Sequence, residues 1–465
     1  MAAVIGRNQL ARMLDGWSAG EGALHARLAG RLRSLVRSGT LPAGTRLPSE
    51  RILADALNVS RNTVGSAFDE LRSDGVFSSR RGDGTYVSLA GRHTLIRGDD
   101  RLRSFLSLTD PVGPIDLRSA ALTGLDLVAD EVDWLSGHDL RDLVGTHGYL
   151  PSGLPQLRQS VARYYTDLGL PTTDDQILIT SGAQQALRLV ARSLLEPGSV
   201  VAIEEPSFRG AIEMLRSVGA QLVPVPSGPL GIDVDALRAT VRAHRPAMVL
   251  VQSTVHNPTG SVLDVSGRRA LSELGVPVLD DATLYDTLID KPVPKPTAAY
   301  GGPIITIGSV SKSFWGGLRV GWVRGDPQTV AVLTSVKGAE DLGTSVLAQM
   351  IAARLLPRVE LARESRRATL SAARDTVIDT VGRLLPEWKF RVPAGGASLW
   401  VQLPLPCATA FAQAAERAGV ALLPGPTFSC VDGLDDYLRI SFAQPLPDVL
   451  RGLQRTAEAW RAFTN

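Results

Sequence analysis

The chain of 465 residues is poor in cysteine, aromatic residues and lysine. Its two cysteines, Cys407 and Cys430, are too few for a disulfide framework or a zinc cluster. Its six histidines show no metal-ligand spacing, so no metal is expected. No apolar run approaches the roughly 20 residues that cross a bilayer. The opening Met1-Ala2-Ala3-Val4-Ile5-Gly6-Arg7 also lacks a charged-then-apolar export signal, so no membrane partner and a cytoplasmic location are expected. With 44% hydrophobic and 21% charged residues, composition excludes wholesale disorder, and the length calls for two or three domains.

What is present is unevenly placed. The net charge is +2, yet residues 1–103 hold 16 Arg, no Lys and 10 acidic residues, leaving the remainder at −4. A basic head is thus joined to a mildly acidic body, and clustered Arg is either a phosphate-binding footprint or a solvated helix face. In the head, Leu24, Leu28, Leu32, Leu35 and Val36 recur at helical spacing. Ser49 can cap a short helix through Leu57, and Ser60 a third helix over 61–73 with Val64, Ala67, Phe68 and Leu71 on its apolar face. The tight Asn58-Val59 connection is that of a helix-turn-helix. Two short strands around Gly82-Asp83-Gly84 then form a hairpin, or wing. This order presents Ser60, Arg61, Asn62 and Thr63 to base edges in a major groove, and Arg51, Arg80 and Arg81 to phosphates or the minor groove.

Leu47-Pro48-Ser49-Glu50-Arg51, Val59-Ser60-Arg61-Asn62-Thr63-Val64 and Gly82-Asp83-Gly84-Thr85-Tyr86-Val87 resemble the DNA-binding head of GntR-type bacterial regulators. The resemblance implies a double-stranded DNA partner and adds Gly82 to the contact region.

Residues 89–112 have weak periodicity and read as a linker between a head at 23–88, preceded by an extension at 1–22, and a body at 113–465. In the body, apolar runs at 177–180, 200–203, 247–252, 276–279 and 304–307 alternate with helical stretches, the signature of a mostly parallel sheet covered on both faces. After a helical stretch at 327–384, runs at 398–403 and 437–442 suggest a smaller α/β lobe, mainly 385–465.

Only five of the 49 basic residues are lysine: Lys291, Lys295, Lys312, Lys337 and Lys389. Lys312 lies in Ser309-Val310-Ser311-Lys312-Ser313 with Arg319 seven residues on, an arrangement suited to a lysine Schiff base beside a phosphate held by Ser309, Ser311 and Arg319. Ser181-Gly182-Ala183-Gln184 follows a strand and opens a helix, whose free N–H groups can receive that phosphate. The Asn257 amide, in Asn257-Pro258-Thr259-Gly260, can donate to a phenolate oxygen. Asp280 or Asp281 can pair with a pyridinium nitrogen, and Phe208 can stack on the ring or fill the core.

These motifs, in this order, resemble the fold-type I, aspartate-aminotransferase-like superfamily of pyridoxal 5′-phosphate proteins. The resemblance implies Lys312 as the Schiff-base lysine, Tyr149 reaching the phosphate of a partner subunit, and Arg439 clamping a carboxylate. Where that family commonly has a tyrosine, this chain has Thr283, with Tyr285 two residues on. Together, head and body resemble the MocR subfamily of GntR-type regulators. The resemblance implies a winged helix-turn-helix (α+β) followed by an α/β aminotransferase-like domain, and a homodimer formed through the bodies, often head-to-tail, with each head crossing to the partner. It also implies transcription control by pyridoxal phosphate or its adduct with an amino compound. A working aminotransferase carrying a DNA-binding head is the alternative.

Overall fold

The computed structural model describes residues 4–19, 22–37, 40–42, 44–80, 83–88, 114–137, 140–228, 230–290 and 292–464. The expected linker, 89–112, and Arg81 and Gly82 lie outside the described residues.

In the head, helices Leu24–Arg37, Glu50–Leu57 and Arg61–Ser73 enclose Leu28, Leu32, Leu53, Val64, Phe68 and Leu71. Ser49 and Ser60 cap the second and third by accepting from Ile52 N and Thr63 N. Asn58 closes the second helix in the left-handed region at φ 49°, which reverses the chain between the two. The wing is an antiparallel pair, Phe77–Arg80 with Gly84–Val87. An element not anticipated from the sequence precedes these: helix Arg7–Met13 buries Leu10 and Ala11 in the same core, with Leu14 and Trp17 beyond it.

The body's large lobe is built on an eight-stranded sheet in the order Ile177–Thr180, Gly321–Arg324, Ile304–Ser309, Val278–Asp281, Met248–Val251, Val200–Glu205, Gln221–Gly228, Gly231–Ile232. The four pairings from Ile304–Ser309 across to Gln221–Gly228 are parallel. Gly321–Arg324 runs antiparallel to both neighbours, and Gly231–Ile232 closes the far edge antiparallel. The central strands are buried on both faces, so their apolar runs are continuous rather than alternating. The stretch 327–384 is three helices, Pro327–Asp341, Val346–Leu355 and Val359–Leu384. Leu342 and Gly343 take positive φ at the first break.

The small lobe has a four-stranded antiparallel sheet, Lys389–Phe390, Ser398–Gln402, Tyr437–Ser441 and Leu423–Pro424, covered by helices Val359–Leu384, Ala408–Arg417 and Leu446–Thr464. A short strand, Ile115–Asp116, pairs in parallel with Val420–Ala421 and carries the chain into the crevice between the lobes. Among the described residues no helix is long and apolar enough to cross a membrane.

Candidate functional site

A cavity of about 670 Å³ opens at the carboxyl ends of the large sheet, bounded on its other side by the small lobe and residues 118–123. This is where open α/β sheets place ligands.

Lys312 projects from a wide helical turn, Ser311–Trp315, that follows strand Ile304–Ser309. Such i→i+5 turns are rare, and here a buried guanidinium holds the turn in place. Arg366 donates to the carbonyls of Lys312 (3.1 Å), Ser313 (3.2 Å) and Phe314 (2.8 Å). Asp286 accepts from Ser313 Oγ behind it. Lys312 Nζ borders the cavity and donates to Ala120 O at 2.8 Å. Burial pushes this amine down to about 8, and the charges of Arg439 and Arg366 push the same way.

Beside the lysine lies a small-residue cup. Gly182, at φ +101°, begins helix Ala183–Leu194, which has no side-chain cap. A Cβ on Gly182 would meet Arg319 Nη2 at 2.6 Å, so only glycine lets the guanidinium approach the helix end. Arg319 donates from that nitrogen to Ser181 O at 2.9 Å. Ser309 Oγ lies 2.8 Å from Ser311 Oγ and accepts from Ser311 N at 3.1 Å. Ala183, Gln184, Ser309, Ser311 and Arg319 all border the cavity, whereas Ser181 and Gly182, expected to join them, do not: Ser181 O accepts from Arg319 and its Oγ lies 3.4 Å from Thr344 Oγ1.

The two adjacent aspartates separate, because alternate residues of a strand face opposite sides. Asp281 borders the cavity, and Asp280 is turned to Ser253, accepting from its N at 3.1 Å and its Oγ at 2.6 Å. Asp280 therefore does not join the cavity group. Asp281 accepts from Thr283 N (3.1 Å), from the Thr283 hydroxyl, and from Gln252 Nε2 (3.4 Å). Burial raises its pKa. The Thr283 hydroxyl is thus committed to Asp281, and Tyr285 donates away from the cavity to Pro294 O.

Across the cavity, Arg439 on strand Tyr437–Ser441 donates to Asn257 Oδ1 at 3.0 Å and to Arg118 O. Its Nε is buried with no hydrogen-bond partner among the described residues, and its guanidinium lies 5.0 Å from the Phe428 ring centroid. Burial brings it down to about 10, with Arg209 nearby adding to the effect. Phe208 borders the same space, half-buried. Tyr149 does not: it is 60% exposed and stacked on His147.

Residues the sequence reading passed over include Gln252, Arg366, Trp315 and 118–123. Behind Asn257, His256 Nε2 is 3.6 Å from Glu204. Burial moves His256 down to about 4 and Glu204 up to about 8, so near neutrality the pair is two uncharged groups, not an ion pair.

On the head, Arg51, Ser60, Arg61 and Asn62 are exposed and Thr63 is half-buried. Arg61 is 73% exposed, 3.9 Å from Glu50. The Ser60 hydroxyl is occupied as a cap, 3.1 Å from Thr63 N. Arg80 is described only as the end of its strand.

The chain matches "Aminotransferase class I and II" over residues 125–454 and "Bacterial regulatory proteins, gntR family" over 24–87. It is 28% identical to the uncharacterized HTH-type transcriptional regulator YisV of Bacillus subtilis (strain 168), across 94% of this chain and 96% of that one. It is also 28% identical to the probable rhizopine catabolism regulatory protein MocR of Rhizobium meliloti, across 66% of each. Among solved structures it is similar to LysN, the alpha-aminoadipate aminotransferase of Thermus thermophilus complexed with N-(5′-phosphopyridoxyl)-L-leucine. That likeness has a TM-score of 0.71 at 27% identity, covering 78% of this chain and 95% of that one.

Proposed function

The chain belongs to the aminotransferase class I and II family and, with its GntR head, to the MocR subfamily of transcriptional regulators; from that premise we propose that pyridoxal 5′-phosphate, or its adduct with an amino compound, is the ligand that sets its DNA binding. The observation that carries this reading is one cavity bordered by Lys312, Asp281, Asn257, Arg319 and Arg439, in a chain whose head leaves Arg51 and Arg61 open to solvent.

The residues fit the group. Arg439 has a buried Nε without a partner among the described residues, and Gly182 leaves just enough room for Arg319 beside an uncapped helix start. In this reading the start of helix Ala183–Leu194, Ser309, Ser311 and Arg319 hold the phosphate. Bound there, the cofactor supplies an electrophilic carbonyl and an electron-withdrawing ring. Lys312, its amine partly neutral near pH 7, provides the nucleophile. Asp281, oriented by Thr283 and Gln252, faces the ring nitrogen. Asn257, its Oδ1 engaged by Arg439, offers its amide nitrogen to the ring oxygen. Phe208 stacks on the ring, and Arg439 takes the carboxylate of the amino compound.

On the DNA side, the recognition turn Ser60–Thr63 reads bases while Arg51, Arg80, Arg81 and Gly82 meet the backbone. The body pairs with a second copy, head-to-tail, through a surface that includes the exposed Tyr149 (60%). Tyr149 then completes the partner's phosphate site.

A depressed lysine also suits transamination, so the regulator must be separated from a working enzyme. The test is to screen amino compounds for spectral shifts of the protein loaded with pyridoxal phosphate, then measure keto-acid production and operator affinity for each hit. The regulator reading expects slow or absent multiple turnover and a changed operator affinity. Turnover near the enzyme median of about 10 s⁻¹, with operator affinity indifferent to every hit, would replace it with the aminotransferase.

A further inference from the structure

Residues 116–123 face two ways. Their carbonyls point into the body: Arg439 donates to Arg118 O, Ser441 Oγ to Ser119 O (2.7 Å), Lys312 Nζ to Ala120 O (2.8 Å) and Arg366 to Thr123 O (2.8 Å). Two of these donors, Lys312 and Arg439, are the groups assigned above to the ligand.

The Arg118 side chain reaches the other way. It is 6% exposed and lies 3.1 Å from Asp116, 3.0 Å from Asp15 of the N-terminal segment and 3.9 Å from Glu416 of the small lobe. Burial alone would lower this guanidinium, yet Asp15, Asp116 and Glu416 together hold it above its ordinary value. Around it, Gly16 N donates to Glu416 (3.2 Å), Trp17 Nε1 to Gln413 (3.0 Å) and Arg12 to Asp432 (3.0 Å). Arg417 donates to Leu57 O (3.4 Å) and Asn58 O (3.2 Å), at the turn between the two DNA-binding helices. The head therefore rests on the small lobe through residues 12–17 and the helix-turn-helix corner, with Arg118 the buried cation shared between them.

We infer that residues 116–120 are the link by which the cavity's occupancy is felt by the head, with Arg118 the positioning residue. A ligand that recruits Lys312 Nζ and the Arg439 guanidinium takes donors from the carbonyls of Ala120 and Arg118. The backbone that aims Arg118 at Asp15 then loses two of its four inner anchors, those at Arg118 O and Ala120 O, and is left with Ser441 at Ser119 O and Arg366 at Thr123 O. Because a buried ion pair tolerates little misalignment, the head's seat on residues 12–17 weakens with it. Coupling of this kind is a difference in ligand affinity between two seats of the head, so it must act in both directions.

This inference rests on the ligand assignment above, and the experiment keeps the two apart. The probe is N-(5′-phosphopyridoxyl)glycine, which carries the phosphate and carboxylate without a side chain to be refused. Its first readout is hydrogen exchange without DNA. Saturating probe is expected to raise exchange at amides 10–17 together with those at 118–120. Unchanged exchange at 10–17 while the cavity responds overturns the link and leaves the regulator reading standing. The second readout is operator affinity. The probe should change it about 5-fold or more in the unsubstituted protein and in Asp69→Asn, which removes an acid elsewhere on the head. In Asp15→Asn the change should fall below about 2-fold with probe binding retained. An equal response in Asp15→Asn overturns the link, whereas a coupled exchange response with no operator response in any form overturns the regulator reading alone. If the probe does not bind, Arg439→Met withdraws the donor to Arg118 O without a ligand. Raised exchange at 10–17 then supports the link, and unchanged exchange overturns it.

Discussion

The Lys312 amine offers a sharp test of how the cavity tunes its chemistry. With its pKa at about 8 rather than 10.5, roughly 10% of it is neutral at pH 7, against about 0.03% for an ordinary lysine, a difference of about 300-fold. Only the neutral amine attacks a carbonyl. Mixing ligand-free protein with excess pyridoxal phosphate, and following the yellow, borohydride-reducible product, should give a rate that climbs about tenfold per pH unit below 8 and flattens above it. The same shift has a consequence for stability. Below pH 8 both folded and unfolded forms hold the proton, and confining the cation costs up to about 3 kcal/mol, an upper figure because the cavity admits water. Between pH 8 and 10.5 the unfolded chain binds the extra proton, so stability rises with pH and the cost fades. Lys312→Met should therefore raise the melting temperature of ligand-free protein at pH 7 and lose that advantage as the pH approaches 10.5. A rate still climbing at pH 10, or reducible product persisting in Lys312→Ala, would refute the reasoning.

Two further outcomes concern the head. Arg61→Ala should lose about 1–3 kcal/mol on the specific operator and relax its preference, whereas Arg51→Ala should weaken all sequences alike and shallow the salt dependence; quantitative binding to operator and scrambled duplexes distinguishes them. Ser60→Ala removes the cap on Thr63 N and should destabilise the head by about 0.5–2 kcal/mol in denaturant titrations, with Ser60→Asp close to neutral.

Much of this was legible in the chain because its signals are local. Caps at Ser49 and Ser60, the apolar face of 61–73, and buried strands such as 278–281 each announce themselves within a dozen residues. The cavity's motifs were legible for the same reason: a sheet gathers its strand ends, so short motifs that follow strands arrive together. Which of two adjacent aspartates faces the cavity was not legible, because it depends on the register of strand 278–281 between its neighbours. Nor was the helix at 7–13, whose short amphipathic stretch acquires meaning only against the head's core.

The connection between the two halves was hidden for a different reason. Arg12 meets a partner 420 residues away, Trp17 one 396 away, and Arg439 one 321 away. In a chain where arginine serves nearly every cationic role, nothing near Arg118 marks it as special; it becomes so only when folding surrounds it with Asp15, Asp116 and Glu416. Ligand chemistry tolerates few residue types and leaves motifs, while coupling needs only charge, burial and reach, which many sequences supply. The part of this protein that would make a cofactor site into a regulator is therefore the part its sequence conceals, and Asp15→Asn is the substitution that exposes it: a change outside the cavity and off the recognition turn that should leave both binding events intact and separate them.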